Sequence, residues 1–182
     1  MLKKIALALV LVILGFLGYV AIQPSVSTAS RTATLPAPPA AVFAQINDFH
    51  KWQDWSPWAK LDPDAKTSFE GPSSGVGASF AWSGNEKVGE GKMTIAESSP
   101  DSGIKMNLDF AKPFESKSIA EFKLKPEGAG TNVTWSITGD RPFLARAMCI
   151  LLRGDKMVSK MLGKGLTNLG KAASAASATP KP

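Results

Sequence analysis

GIKMNLDF (103–110), SIAEFKLK (118–125) and TNVTWSIT (131–138) are three short runs in which apolar and polar residues alternate. Ile104, Met106, Leu108 and Phe110 fall on one face, opposite Lys105, Asn107 and Asp109. Ala120, Phe122 and Leu124 oppose Glu121, Lys123 and Lys125, and Val133, Trp135 and Ile137 oppose Thr134, Ser136 and Thr138. A period of two residues is the mark of a strand with one buried and one wet face. Working upstream, EGKMTIAES (90–98), GASFAWSG (77–84) and TSFEG (67–71) continue the pattern between glycine-rich turns. Six consecutive antiparallel strands with one wet face need an apolar cover on the other. Downstream of Pro142, apolar residues recur at Phe143, Ala147, Ile150, Val158, Met161, Leu162, Leu166 and Leu169, the spacing of a helix. Gly154, Gly163 and Gly165 predict a bend in it, since each costs about 1 kcal/mol relative to alanine in a helix.

The region before residue 67 supplies the remaining elements. VSTASRTATL (26–35) reads as a strand ended by Pro36, Pro38 and Pro39, and proline at a first helical turn suits a short helix over AAVFAQIND (40–48). WQDWSPWAKLDP (52–63) is broken by Pro57 and Pro63. The order is strand, two short helices, six strands, long helix. This predicts an α+β fold over residues 25–171, a curved antiparallel sheet around a C-terminal helix. KAASAASATPKP (171–182) has no period of large apolar residues, and residues 172–182 are expected to be a disordered tail.

Residues 1–24 are of another kind. Ile5 to Ile22 contains no charge and no strongly polar group. At ~1.5 Å per residue such a helix reaches ~27 Å, close to the ~30 Å hydrocarbon core of a bilayer. A cleaved signal peptide is the competing reading, with Ser27-x-Ala29 as the cleavage site. The run is longer than a signal core of ~7–15 residues, and the cut would remove half of the first strand, so an uncleaved single-pass anchor is expected. Lys3 and Lys4 precede the span and only Arg31 follows closely, which places the N-terminus in the cytoplasm and the domain outside, in the periplasm of a bacterium.

The chain has 182 residues, room for one domain, with one cysteine (Cys149) and one histidine (His50). An internal disulfide, a cysteine zinc site and a histidine-cluster metal site are excluded. The net charge of +6 is uneven. Residues 5–140 carry eleven basic and fourteen acidic side chains, whereas residues 141–182 carry eight basic ones against Asp155 alone. That is not the footprint of a nucleic-acid-binding domain. No nucleophile triad, phosphate loop or dinucleotide fingerprint occurs, so no cofactor is expected.

Specific words sharpen the picture. LPAPPAAVFAQINDFHKWQDWSPW (35–58), GPSSGVGASFAWSGNEKVGEGKMTI (71–95), LDFAKPFE (108–115) and GTNVTW (130–135) resemble the SRPBCC, or START-like, superfamily of polyketide cyclase/dehydrase and lipid-transport proteins. The proline-flanked helix followed by WSPW resembles a membrane-anchored bacterial branch. The resemblance covers about residues 30 to 170. It implies the helix-grip fold and a cavity between sheet and long helix that receives an apolar molecule.

The candidate cavity lining is Phe80, Trp82, Met93, Ile95, Met106, Leu108, Phe110, Phe122 and Trp135, all on inferred inward faces. The alternative is that they pack on the helix and fill the core. Trp52, Trp55 and Trp58 must cover the core, gate a pocket or touch a membrane, because exposed tryptophan is costly; Trp55 and Trp58 are taken as candidate ligand-binding residues. Among Glu70, Glu90, Asp109, Glu115 and Arg141, the strand-edge Glu90 between Gly89 and Gly91 is the best polar anchor. Glu70 and Asp109 point away from the inner face by alternation. His50 is expected on the surface and Cys149 as a small buried hydrophobe. No catalytic residue is assigned. Arg146, Arg153, Lys156, Lys160 and Lys164 form a basic stripe on the final helix, either solvated or resting on anionic lipid.

These residues point to a membrane-tethered binder of a hydrophobic or amphipathic small molecule rather than an enzyme. A polyketide cyclase/dehydrase-like enzyme is the alternative; the cyclases use cavity hydroxyls, and here the only tyrosine, Tyr19, lies outside the domain. An interaction module with a filled core is a third possibility.

Overall fold

The structure, a computed structural model, describes residues 1–152 and 154–178. A helix, α1 (Leu2–Ala21), precedes strand β1 (Val26–Leu35). Then come α2 (Pro39–Ile46), a 3₁₀ turn (Phe49–Lys51) and the single turn α3 (Trp52–Trp55). Six strands follow: β2 (Lys66–Glu70), β3 (Ser79–Ser83), β4 (Glu90–Ser99), β5 (Gly103–Lys112), β6 (Ser116–Glu127) and β7 (Gly130–Asp140). The chain ends in α4 (Phe143–Leu152) and α5 (Gly154–Ala178). Pro39 occupies the first turn of α2, where its missing N–H costs nothing, and Asp48 caps the 3₁₀ turn by accepting from the His50 amide.

All strand pairs are antiparallel, in the order β1-β7-β6-β5-β4-β3-β2. β4 carries register shifts between Glu90 and Gly91 and between Ile95 and Glu97, irregularities that bend a strand and increase its twist. The sheet curves around α5, which packs on β1, α2 and β7. Leu162, Leu166, Leu169, Gly170 and Ala173 form the buried stripe of α5. This is the helix-grip α+β fold.

Two expectations are corrected. The helix runs unbroken through Gly163 and Gly165. Gly165 is there for proximity: a Cβ at this position would lie 2.5 Å from Trp135 Cζ3 and 3.3 Å from Pro57 Cδ, so the helix can approach the sheet only without one. The expected tail from residue 172 is helical as far as Ala178. Alanine is the best helix former, and here small residues do the packing: Ala173 is buried and the Ser174 hydroxyl donates to the carbonyl of Pro36, 2.9 Å away. Residues 179–182 and Arg153 lie outside the described residues.

Candidate functional site

The register divides the concave face into rows running across the strands. Val26 pairs with Asp140 and Glu127 with Gly130, so β1 enters the sheet at one end, next to α1, and the β6–β7 turn lies at the other. Away from α1, Ile104, Phe122, Trp135 and Arg31 form one row, with Leu124, Val133 and Ala33 beyond them. The next row toward α1 is Ile95, Met106, Ala120, Ile137 and Ala29, followed by Phe80, Met93, Leu108, Ser118, Gly139 and Ser27. The last is Trp82, Gly91, Phe110 and Ser116.

The rows away from α1 are filled. Phe122 and Trp135 stack with ring centroids 4.6 Å apart, and Trp55 meets Trp135 edge-on at 5.8 Å. Trp52 packs against Trp55 at 4.7 Å and against Phe49 at 5.4 Å. The indoles of Trp52 and Trp55 donate to the carbonyls of Ile46 and Gln45, and the Asn168 side chain of α5 donates to the Trp55 carbonyl at 3.0 Å. Trp58, half-buried, closes on Trp135 at 5.6 Å. The WSPW stretch therefore covers the core, the role that buried aromatics with satisfied indole N–H groups fill.

Toward α1 the side chains shrink on the β6–β7–β1 side, where Ser118, Gly139 and Ser27 stand opposite Leu108 and its neighbours. Past this row an open cavity of about 1040 Å³ is lined by Trp82, Gly91, Phe110 and Ser116, by Ser68, Ala81, Lys92, Asp109 and Lys117 of the opposite strand parity, by Glu90 and Glu115 and, from the far side, by Ser25, Asp140, Arg141, Pro142 and Arg146. Trp82 and Phe110 meet edge-on at 5.7 Å, and the Trp82 indole donates to the Val88 carbonyl at 2.9 Å. Gly91 sits between them: a Cβ would be 2.7 Å from the Trp82 ring and 2.6 Å from the Asp109 carbonyl oxygen, so only glycine lets the indole lie across β4.

Glu90 and Arg141 of the rim are paired. Glu90 binds Lys112 at 2.9 Å and accepts from Ser83, and the Lys112 hydrogen bond and charge hold its carboxyl below the usual range. Arg141 of β7's exit binds Asp155 of α5, and that hydrogen bond lowers the Asp155 carboxyl and raises the guanidinium. Arg141 also ties the ends of β7 and the α1–β1 link, its amide donating to the Ser25 carbonyl at 2.6 Å.

Of the expected lining, Trp82, Phe110 and Glu90 face this cavity. Phe80, Ile95, Met106, Leu108, Phe122, Trp135 and Trp55 are buried, and Met93 and Trp58 are half-buried against the core. Glu70 pairs with Lys92, and Asp109, although exposed and of outer-face parity, is among the residues that line the cavity. His50 is exposed, bonded to Asp48 and stacked on Phe69 at 4.1 Å. Cys149 is half-buried and free. Gly91, Ser116 and Pro142 escaped the sequence reading; the run of small residues near Ser116 and Ser118 was the available signal. Lys156, Lys160 and Lys164 are exposed, whereas Arg146 turns inward. Among the described residues no group of three histidine, cysteine, aspartate or glutamate side chains forms a metal site.

Solved structures share this architecture. Protein MLL2253 from Mesorhizobium loti superposes with a TM-score of 0.61 at 18% identity, covering 82% of this chain and 98% of that one. Mll3558 from Rhizobium loti gives 0.57 at 22% identity, covering 79% and 96%, and CV1439 from Chromobacterium violaceum 0.56 at 16%, covering 83% and 98%. At these identities the likeness is one of fold. A search of curated proteins finds no match. The model of the family described as polyketide cyclase/dehydrase and lipid transport matches residues 27–174, from β1 through most of α5, and the chain belongs to that family.

Proposed function

We propose that this protein is a membrane-tethered, non-catalytic binder of a hydrophobic or amphipathic small molecule of lipid-like character. The observation that carries the reading is the change along the concave face from a filled aromatic core to an open cavity of about 1040 Å³ walled by Trp82 and Phe110. A site of this size is at the upper end of ligand pockets, ~300–1,000 Å³. Burying about ten methylenes at ~0.8 kcal/mol each contributes ~8 kcal/mol gross. That offsets the ~4 kcal/mol or more lost on association with little polar recognition. The rim carboxylate Glu90 and the Asp155 partner of rim Arg141 are held below the ordinary carboxylate range by Lys112 and Arg141, which suits orienting a polar head group and not acid–base chemistry near neutral pH.

α1 supports the tether. It is 20 residues long with a mean hydropathy of 2.4 over its most apolar window, and its flank is basic only at the N-terminal side, which favours an outward-facing domain.

The test is ligand retention by the full chain, extracted from membranes in a mild detergent. Organic extraction and mass spectrometry should recover an apolar molecule at a fixed stoichiometry. Ser116→Trp, which fills the cavity next to Phe110, should lower that stoichiometry several-fold while leaving the thermal midpoint unchanged. Equal recovery from the variant, or none from the parent protein, would sink the binding reading. Chemical conversion of an added polyketide-like compound would favour the cyclase/dehydrase alternative.

A further inference from the structure

We infer that α4 is a docking helix for the bilayer surface, its exposed apolar face lying among the lipid head groups and first methylenes where α1 enters the membrane. The inference rests on the reading of α1 as a span.

Leu144, Met148, Leu151 and Leu152 follow one another at helical spacing on one side of α4. They are 55%, 37%, 64% and 68% exposed, although Ala147 of the same helix is buried against the fold. Four large apolar side chains on one face with no cover in their own domain mark an interaction surface. At ten residues, ~15 Å, α4 is too short to span a bilayer and suits lying in its plane.

The connection to α1 says what covers the face. Val20, in the last turn of α1, is completely buried, and α1 and α4 are in contact. Arg146 of α4 reaches the end of α1, donating from Nη1 to the carbonyl oxygens of Ala21 at 3.2 Å and Gln23 at 2.7 Å. Ala21 carries one of the last carbonyls, which a helix leaves unpaired, and Gln23 follows the C-cap Ile22, so both lie where a spanning α1 meets the membrane surface. α4 is therefore fixed at the depth at which the span ends. Beyond the apolar face, Lys156 and Lys160 of α5 are exposed and cationic, which matches an anionic head-group layer. Arg146 and Pro142 belong to the cavity rim as well, so α4 borders the cavity near the point where the span ends.

The experiment uses the full chain in nanodiscs containing anionic lipid, with nitroxide labels on single cysteines in a Cys149→Ser background. Labels at Met148→Cys and Leu151→Cys test α4, Leu11→Cys reports the span, and Ala129→Cys marks the turn at the opposite end of the sheet. Relaxation by oxygen, which concentrates in lipid, is compared with relaxation by a water-soluble nickel chelate. The oxygen-to-nickel ratio at 148 and 151 should exceed that at 129 several-fold. A ratio at both positions equal to that at 129, with the label at 11 in lipid, overturns the docking and leaves the span standing. A label at 11 open to the nickel chelate overturns both. Shielding of 148 and 151 from both reagents means that protein covers the face, a second copy if the labels broaden each other, and also overturns the proposal.

Discussion

Arg146 donates from Nη1 to the carbonyl oxygen of Gln23 at 2.7 Å, across 123 positions of sequence, so α4 holds the short link between α1 and the sheet. The guanidinium Nε is buried with no partner of its own, so the two carbonyl contacts, with the Phe143 ring 5.6 Å from the guanidinium carbon, keep this side chain inward. Arg146→Met keeps the stem and removes the donors. A hydrogen bond from a charged group is worth about 1.5–3 kcal/mol, and a loss in that range is expected. Limited proteolysis should cut within residues 22–25 faster in the variant, with the rest of the domain as resistant as before.

Trp135 has the opposite problem. Its ring is central to the aromatic core, yet its buried Nε1–H finds no partner. Trp135→Phe removes an unsatisfied donor that costs about 1–3 kcal/mol, which opposes the penalty of lost volume. Chemical denaturation should show a change of at most about 1 kcal/mol, against a loss of about 3–5 kcal/mol for Trp135→Ala.

At Gly165 two rules disagree in sign. Helix propensity favours Gly165→Ala by about 1 kcal/mol. The added methyl, however, meets Trp135 and Pro57 across a packed interface, and overpacking costs about 1–3 kcal/mol. The clash is with ring atoms held by Phe122 and Trp55, so packing wins and the variant should melt at a lower temperature. Gly163→Ala, with nothing within 4 Å of the new methyl, should melt higher.

Acid should loosen the rim. Glu90 and Asp155 have carboxyls below their ordinary values because of Lys112 and Arg141. A carboxyl with a lower pKa in the folded state binds fewer protons there than in the unfolded chain. Its stabilising contribution is therefore complete above the unfolded value, ~4, and disappears as pH falls through the folded one. Stability measured from pH 6 to pH 2 should decline more shallowly in Asp155→Asn than in the parent protein, with the two alike at the acid end.

Strand alternation made the sheet legible: the faces of β5, β6 and β7 follow from period two, and the helical spacing of Leu162, Leu166 and Leu169 follows from period 3.6. What alternation does not carry is how far along a strand the core extends. Met106 and Phe110 have the same parity and opposite fates, one fully buried and the other beside the cavity, because the buried cluster reaches Met106 and Ala120 and stops short of Phe110 and Ser116. The seven-residue helical extension to Ala178 was hidden for a related reason. Its packing depends on alanine and serine, whose small size leaves no hydrophobic period to read. The inward turn of Arg146 depended on the end of α1 being within its reach, a relation between segments that no local pattern encodes.

The graded rows of the concave face separate two jobs in space. Tolerance of substitution should be divided along the same line, with little at Trp55, Phe122 or Trp135 and a good deal at Phe110 or Ser116, which lie outside the buried core cluster. A chain built this way can acquire a new guest by changing residues at its open end while its folding information, stored at the closed end, is left untouched.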